Sequence, residues 1–267
     1  MEIAGYIAAA FIGLSLGLLG GGGSILTVPV LVYLFGLNPL LATSYSLFIV
    51  GSTSMVGAIT NYREGLINLK TAFYFGTASI LTVFLTRKFI IPIIPENLGT
   101  LSGYSITSSF LTMFLFAVLM IVAAASMIIG NSTISYNQEC STCIRFFRLM
   151  GYGVAIGLIT GILGAGGGFL LIPALVLLVK LPMKKAIGTS LLIITLNSLI
   201  GFAGDLGHFT INWSFLLIIT AIAMTGIIAG SWLSGKLSAD KLKKGFGWFI
   251  LFMGVLIIWK EVAGKNF

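Results

Sequence analysis

Two runs of glycine interrupt this chain, each in the middle of a long apolar segment. The first is Gly20 to Gly23 followed by Ser24, and the second is Gly164 followed by Ala165 and Gly166 to Gly168. Glycine has no Cβ, so a run of it lets the backbone leave helical geometry and approach a neighbour closely. Non-helical backbone at membrane depth is tolerated only where it is buried in protein or lines a wet cavity. If these segments are membrane helices, the two breaks are the first candidates for a functional site.

The balance of apolar and charged residues settles the class of protein. Hydrophobic residues make up 58% of the chain and charged residues 8%, with a mean hydropathy of +1.10. So few polar side chains could not cover a soluble domain, and about 20 apolar residues cross a bilayer as a helix. The sequence therefore predicts a multi-pass membrane protein with apolar segments at 3–19 with 24–36, 40–60, 69–90, 108–130, 149–163 with 168–181, 186–204, 212–233 and 246–263. The first segment lacks a basic leader and a cleavage site, so we expect it to be retained.

The chain repeats itself at an offset of 144 residues. Without a gap, the shift matches Gly17, Gly20, Gly22, Gly23, Pro29, Ser46, Ser54, Gly57 and Asn68 to Gly161, Gly164, Gly166, Gly167, Pro173, Ser190, Ser198, Gly201 and Asn212. Apolar composition explains such matches poorly, so we interpret the chain as a duplication. Its parts are a first transmembrane repeat (1–130), a polar linker (131–147) and a second repeat (148–267). Interrupted segments at corresponding positions of two halves are typical of the binding site of a secondary transporter.

The interrupted segments decide how the two halves are oriented. One helix over 3–36 would be about 50 Å long, against a hydrocarbon core of about 30 Å, so it should bend or fold back. If each folds back as a hairpin, the halves are inverted and the basic residues divide eleven to four between the two faces; with single crossings the division is nine to six. The positive-inside rule favours inverted halves with both termini outside. The four outer charges are then Arg87, Lys88, Lys260 and Lys265.

The predicted fold class is therefore an all-α, polytopic membrane helix bundle of two homologous halves, each opening with a broken or re-entrant helix. In each half an apolar helix resumes after the glycine run, so both runs should lie at half-helix N-termini. Such an end carries unpaired N–H groups and about half a positive charge, which favours an anion. Two converging ends would form an anion site without any Arg or Lys.

Hydroxyl and amide groups follow the glycine runs at matching places in the two halves. A small oxyanion needs several uncharged donors, so the candidate binding residues are Gly20, Gly21, Gly22, Gly23, Ser24, Thr43, Ser44, Ser46, Gly164, Gly166, Gly167, Gly168, Thr189, Ser190 and Asn197. The alternative is structural: glycines also allow close helix packing, and hydroxyls inside membranes often bond only to nearby backbone or across helices.

A few ionisable residues lie within or near the predicted spans. Asp205 and His208 correspond in register to Asn61 and Glu64, and Arg63 lies between the latter two. Intramembrane ionisable groups are functional candidates, and His208 near Asp205 could relay a proton. Arg63, Asp205 and His208 are therefore candidate coupling residues; the alternative is a solvated loop at 205–211.

The remaining polar features predict no cofactor and no metal site. Cys140 and Cys143 form a lone CxxC in the linker, without the further ligands of a structural zinc site; they are either incidental or a metal or redox sensor. The net charge of +8 includes Lys236, Lys241, Lys243 and Lys244 beside one span, which indicates orientation and contact with lipid headgroups. We expect no nucleic-acid partner, and the oligomeric state cannot be read from the sequence.

The glycine and proline pattern from Gly17 to Pro29, the Ala42-Thr43-Ser44 and Ser46-Leu47 stretch, and their counterparts at Gly161 to Pro173 and Ala186 to Leu191 resemble the sulfite exporter TauE/SafE family. The resemblance covers nearly the whole chain. It implies a permease of the prokaryotic cytoplasmic membrane whose substrates include sulfite, sulfoacetate or other organosulfonates.

Together, the residues and the resemblance predict a secondary transporter that exports a small sulfur-containing anion by alternating access. No P-loop motif is present, so an ion gradient, the membrane potential or the substrate's own gradient must drive it. A divalent-cation permease, an anion channel of the same fold and a membrane enzyme are the alternatives. The spans hold almost no carboxylate, His or thiolate ligands for a cation, and no nucleophile with a base for catalysis. We therefore expect the protein not to be an enzyme.

Overall fold

The computed structural model of the chain describes residues 2–93, 97–101, 104–129, 142–164, 166–208, 210–234 and 239–263. Within these ranges the helices are α1 (Glu2–Leu19), α2 (Gly22–Tyr33), α3 (Pro39–Arg63), α4 (Leu69–Leu85), α5 (Ser108–Ile129), α6 (Thr142–Leu163), α7 (Gly168–Pro173), α8 (Met183–Asp205), α9 (Trp213–Ser234) and α10 (Ala239–Ala263). A π-helical turn, Thr86–Ile90, continues α4, and another, Ala174–Leu178, continues α7. Two antiparallel strands, β1 (Asn97–Leu101) and β2 (Tyr104–Thr107), precede α5.

The predicted apolar segments are confirmed as helices, and both glycine runs are helix breaks. Helices α6 and α10 begin about seven residues before the predicted segments because polar residues form their first turns. The β1–β2 hairpin was not predicted, since hydropathy does not identify a short hairpin. Cys140 lies outside the described residues, and of Cys143 only the backbone is described, in α6.

Helix length and surface composition are those of a membrane protein. Four described helical spans are long and apolar enough to cross one: Pro39–Arg63, Leu69–Ile90, Met183–Asp205 and Trp213–Ser234. Shorter apolar stretches occur in the other long helices. Large apolar side chains are exposed along many of the helices, among them all four tryptophans, as expected of a surface that faces lipid.

Helices α3 and α8 form the centre of the bundle. In the apolar part of each, 72% of the residues are buried, against 44% for the α4 span and 39% for α9. The two helices run antiparallel, because Gly57 packs against Leu191 while Gly201 packs against Leu47. Helix α4 packs along α8, and α9 packs along α3.

Contacts in one half recur in the other at the offset of 144 residues. Gly13 packs against Ala223 as Gly157 packs against Ser79, and Gly20 packs against Ile187 as Gly164 packs against Thr43. The backbone N–H of Asn68 donates to the Thr189 hydroxyl at 2.9 Å, and that of Asn212 donates to the Tyr45 hydroxyl at 2.6 Å. Each pair is obtained from its counterpart by moving one partner forward and the other back by 144 residues.

The first interrupted segment folds back on itself. Gly23 in α2 packs against Ile12 in α1, and the far end of the segment returns to the start of the chain, where Phe35 lies over Gly5. The rings of Tyr6 and Phe35 meet edge to face, with centroids 6.0 Å apart. Glycine at position 20, with φ +68°, permits the reversal. The two ends of this segment therefore lie at the same end of the bundle.

Candidate functional site

The two glycine breaks touch each other in the middle of the protein. Gly21 immediately precedes α2, and Gly168 is the first residue of α7. The backbones of these two glycines are in direct contact, so a Cβ at either position would overlap the main chain of the other. The prediction that both runs lie at half-helix N-termini is correct in geometry, and the fold brings the two ends together.

Side chains of α8 and α2 close around the first break. The Ser190 hydroxyl donates to the carbonyl oxygens of Gly20 at 3.2 Å and Ile187 at 2.8 Å. The Ser24 hydroxyl donates to the carbonyl oxygen of Gly21 at 2.7 Å. Gly22 is the first residue of α2. Gly23 packs against α1 and not against the other break. The hydroxyls at this break are therefore engaged with the backbone.

The second break has left-handed backbone and is surrounded by polar side chains. Gly164, Gly166 and Gly167 have φ values of +63°, +64° and +69°, which side-chain-bearing residues adopt only with strain. A Cβ at Gly166 would lie 2.6 Å from the Ser198 hydroxyl, and one at Gly167 would overlap the Thr160 hydroxyl. These two hydroxyls are buried and have no hydrogen-bond partner within the described part of the chain.

A buried ion pair lies beside the second break. Arg87, in the π-helical turn after α4, is fully buried, and its Nη1 donates to Asp205 Oδ2 at 3.0 Å and to the Thr43 hydroxyl at 3.1 Å. Its Nη2 faces Gly164, where a Cβ would overlap both Nη2 and Thr43. Arg87, counted above among the four outer charges, is thus buried inside the bundle, and the region around the second break contains an arginine.

Several other polar atoms near the two central helices are buried without partners in the described structure. They are the hydroxyls of Ser46 and Ser54 on α3 and Oδ1 of Asn197 on α8. Buried polar groups are nearly always hydrogen-bonded, because leaving one unpaired costs about 1–3 kcal/mol. These atoms are therefore available to hydrogen-bond a partner that is not part of the described structure.

Two of the predicted residues make contacts that hold the helices and loops together. Thr189 accepts the N–H of Asn68, which anchors the loop between α3 and α4. Asn197 donates through Nδ2 to Ser79 Oγ at 2.7 Å, which ties α8 to α4. Both contacts are ones that a purely structural role would make.

The three candidate coupling residues are not brought together. Arg63 is exposed at the end of α3, next to the start of α8, where Gly188 packs against Leu66. Asp205 lies at the opposite end of α8, paired with Arg87. The backbone N–H of His208 donates to the carbonyl of Asp205, but the residue is exposed. Among the described residues, no group of three or more His, Cys, Asp and Glu could hold a metal ion.

Comparison with known proteins gives a consistent result. Residues 6–257 match the family model described as sulfite exporter TauE/SafE. Two proteins of Xylella fastidiosa strains 9a5c and Temecula1, each named probable membrane transporter protein, are 29% and 30% identical over 260 residues, covering 96% of this chain and 94% of theirs. The probable membrane transporter protein YunE of Bacillus subtilis is 25% identical over 248 residues, covering 83% of this chain and 81% of its own. No solved structure matches.

Proposed function

The chain belongs to the sulfite exporter TauE/SafE family of membrane transporters, and from that premise we propose that it exports a small sulfur-containing anion, such as sulfite or an organosulfonate. The transporter is a multi-pass protein of the prokaryotic cytoplasmic membrane. The observation that carries the proposal is the contact between Gly21 and Gly168, which joins two chain breaks at the centre of an apolar bundle.

The packing of α3 and α8 supports inverted halves. These helices occupy equivalent positions in the repeat and run antiparallel. A two-fold axis that relates them is therefore perpendicular to the helix axes rather than parallel to them. For helices that span a bilayer, such an axis lies in the membrane plane. Inverted repeats of this kind allow one half to rock against the other and to expose a central site to each side in turn.

The distribution of exposed basic residues supports an orientation. Arg63, Lys70, Lys184 and Lys185 are exposed at the end of the bundle where the α3–α4 loop meets the start of α8. Exposed Lys88 and Lys260 belong to the other end, Lys260 lying 3.8 Å from the Tyr33 ring centroid. By the positive-inside rule the first end is cytoplasmic, and the ends of α1 and α2 that meet at Gly5 and Phe35 are outside.

The proposed anion site is formed by the residues around the two breaks. The first turn of α2 has backbone N–H groups without intrahelical partners, and the helix dipole adds partial positive charge there. The unpaired hydroxyls of α3 and α8 supply further donors. An anion leaving a cell whose interior is negative gains about 2.3 kcal/mol per charge per 100 mV, so the potential alone can drive export.

Counterflow in proteoliposomes tests the proposal. Vesicles loaded with unlabelled sulfite receive trace labelled sulfite outside, with methanesulfonate, sulfoacetate, acetate or nickel as competitors. We expect transient accumulation of label that sulfonates inhibit. The Gly21→Ala variant should lose it, because its methyl overlaps Gly168, whereas Gly151→Ala, which meets nothing within 4 Å, should retain it.

The outcomes separate the alternatives. Flux that is selective for anions but shows no counterflow indicates a channel of the same fold. Inhibition by nickel alone, or uptake of labelled nickel, indicates a divalent-cation permease and rejects the anion assignment. Loss of counterflow in Gly151→Ala as well as Gly21→Ala would remove the central contact as the basis of the site.

A further inference from the structure

The guanidinium of Arg87 has one edge occupied and one edge open. Nη1 binds Asp205 and Thr43, whereas Nε and Nη2 have no hydrogen-bond partner among the described residues, although the side chain is fully buried. A guanidinium presents its donors in a rigid planar fork whose Nε–Nη2 edge matches two oxygens of one oxyanion. Burying that edge unpaired is costly, so a ligand that binds it recovers a substantial free energy.

The open edge lies beside the second break. Nη2 faces Gly164, and the Ser198 and Thr160 hydroxyls face Gly166 and Gly167. Both hydroxyls are 1% exposed or less and have no partner in the described structure. Three buried, unpartnered side chains from three different elements thus face the glycines of one break.

We propose that the Nε–Nη2 edge of Arg87, with the hydroxyls of Ser198 and Thr160, forms the subsite that binds the oxyanion group of the transported solute. This inference rests on the proposed function and makes it specific. The subsite occurs once, because the residues at the equivalent positions of Arg87 and Asp205 in the repeat are Ser231 and Asn61. The transporter therefore binds its anion asymmetrically, against the second break rather than midway between the two.

The charge of the pair selects the class of ligand. Arg87 and Asp205 together are neutral, so a bound monoanion leaves one net negative charge in the apolar interior and a dianion leaves two. The cost of burying charge rises steeply with its magnitude. The subsite therefore accepts singly charged oxyanions, such as hydrogen sulfite or an alkanesulfonate, in preference to sulfate.

Ligand-induced thermal stabilisation of the purified full-length protein tests the subsite separately from transport. The probes are sodium sulfite under anaerobic conditions, sodium methanesulfonate and sodium sulfate, at constant ionic strength. The test variants are Arg87→Lys, which keeps the charge but loses the fork, and Ser198→Ala, which leaves the ion pair intact. Ser231→Ala, at the position equivalent to Arg87, is the matched control.

We expect the wild type to be stabilised by sulfite and methanesulfonate but not by sulfate. Arg87→Lys should weaken apparent affinity by about tenfold to a hundredfold, as losing one hydrogen bond to a charged group does, and Ser198→Ala by about threefold to tenfold. Ser231→Ala should stay within about twofold of the wild type. If Arg87→Lys does not fold, Ser198→Ala alone decides the result.

Two results would overturn the inference. The first is wild-type affinity in Ser198→Ala together with wild-type affinity or no folded protein in Arg87→Lys. The second is equal stabilisation by sulfate and methanesulfonate.

A different set of results would show that only the proposed function is wrong. If neither sulfur anion binds, but another monovalent oxyanion such as nitrate, bicarbonate or acetate does so with the same sensitivity to Arg87→Lys, the subsite stands and the solute is different. If no oxyanion stabilises the wild type, both proposals fail.

Discussion

Arg87 and Asp205 form a fully buried ion pair, with Nη1 and Oδ2 3.0 Å apart, that joins the end of the α4 span to the end of α8. Gly204, next to Asp205, packs against the Arg87 side chain at the same level. The pair therefore joins a helix of the first half to a helix of the second, beside the second glycine break.

Removing one partner of the pair should destabilise the protein strongly. In Asp205→Ala the buried guanidinium loses its carboxylate, and breaking such a pair costs about 3–5 kcal/mol. We expect a clearly lower midpoint of thermal unfolding in detergent. Replacing both partners, as in Arg87→Met with Asp205→Leu, should restore most of the stability, because an apolar pair of similar volume avoids burying charge. An equal loss in the single and double variants would contradict this.

Thr189 should act in stability rather than in binding. Thr189→Val removes the acceptor for the Asn68 N–H, and Tyr45→Phe removes the equivalent acceptor for Asn212. Each change should cost about 1–2 kcal/mol, and Thr189→Ser should restore the loss. Thermal unfolding and the KM for sulfite in vesicles would be measured together. A raised KM in Thr189→Val with unchanged stability would return this residue to the binding site.

Equivalent glycines in the two halves should be equally intolerant of a large side chain. Gly13 packs against the backbone of α9, and Gly157 packs against the backbone of α4 at the corresponding contact. Leucine at either position overpacks a close helix contact, which costs about 1–3 kcal/mol or more. We expect poor recovery of folded protein for both on fluorescence-detected size-exclusion chromatography. Gly151→Leu, on α6 with nothing within 4 Å, is the control and should elute normally.

Cysteine labelling should place the two ends of the bundle on opposite sides of the membrane. In a background with Cys140→Ser and Cys143→Ser, we expect Asn38→Cys to react with an impermeant maleimide added outside intact cells. Glu64→Cys and Lys185→Cys should react only after permeabilisation. Reaction of Asn38→Cys and Lys185→Cys from the same side, with Glu64→Cys reacting from the other, would instead indicate that the interrupted segments cross once and that the halves are parallel.

The helical framework could be predicted because the lengths of the apolar segments and the positions of the glycine runs are read directly from the sequence. Each predicted segment contains a helix, and helices α2 and α7 begin within the two runs, at Gly22 and Gly168. The offset of 144 also anticipated the contacts that recur between the halves, such as Gly13 with Ala223 and Gly157 with Ser79. The β1–β2 hairpin lay beyond this reasoning, since nothing in 91–110 has the periodicity or turn pattern of a known motif.

Arg87 was missed because it stands next to Lys88 at the end of an apolar segment, where a basic pair usually marks the membrane surface. The structure continues the helix through a π-helical turn to Ile90 and turns Arg87 inwards. Thr189 was assigned to the site by position alone, and its actual partner, Asn68, is distant in sequence.

The contact between Gly21 and Gly168 has an evolutionary consequence. The two breaks meet here through bare backbone, and a methyl group at either position would collide with the main chain of the other. A side chain at one glycine would therefore require the opposite backbone to move away. Both positions should remain glycine in any homologue that keeps this contact.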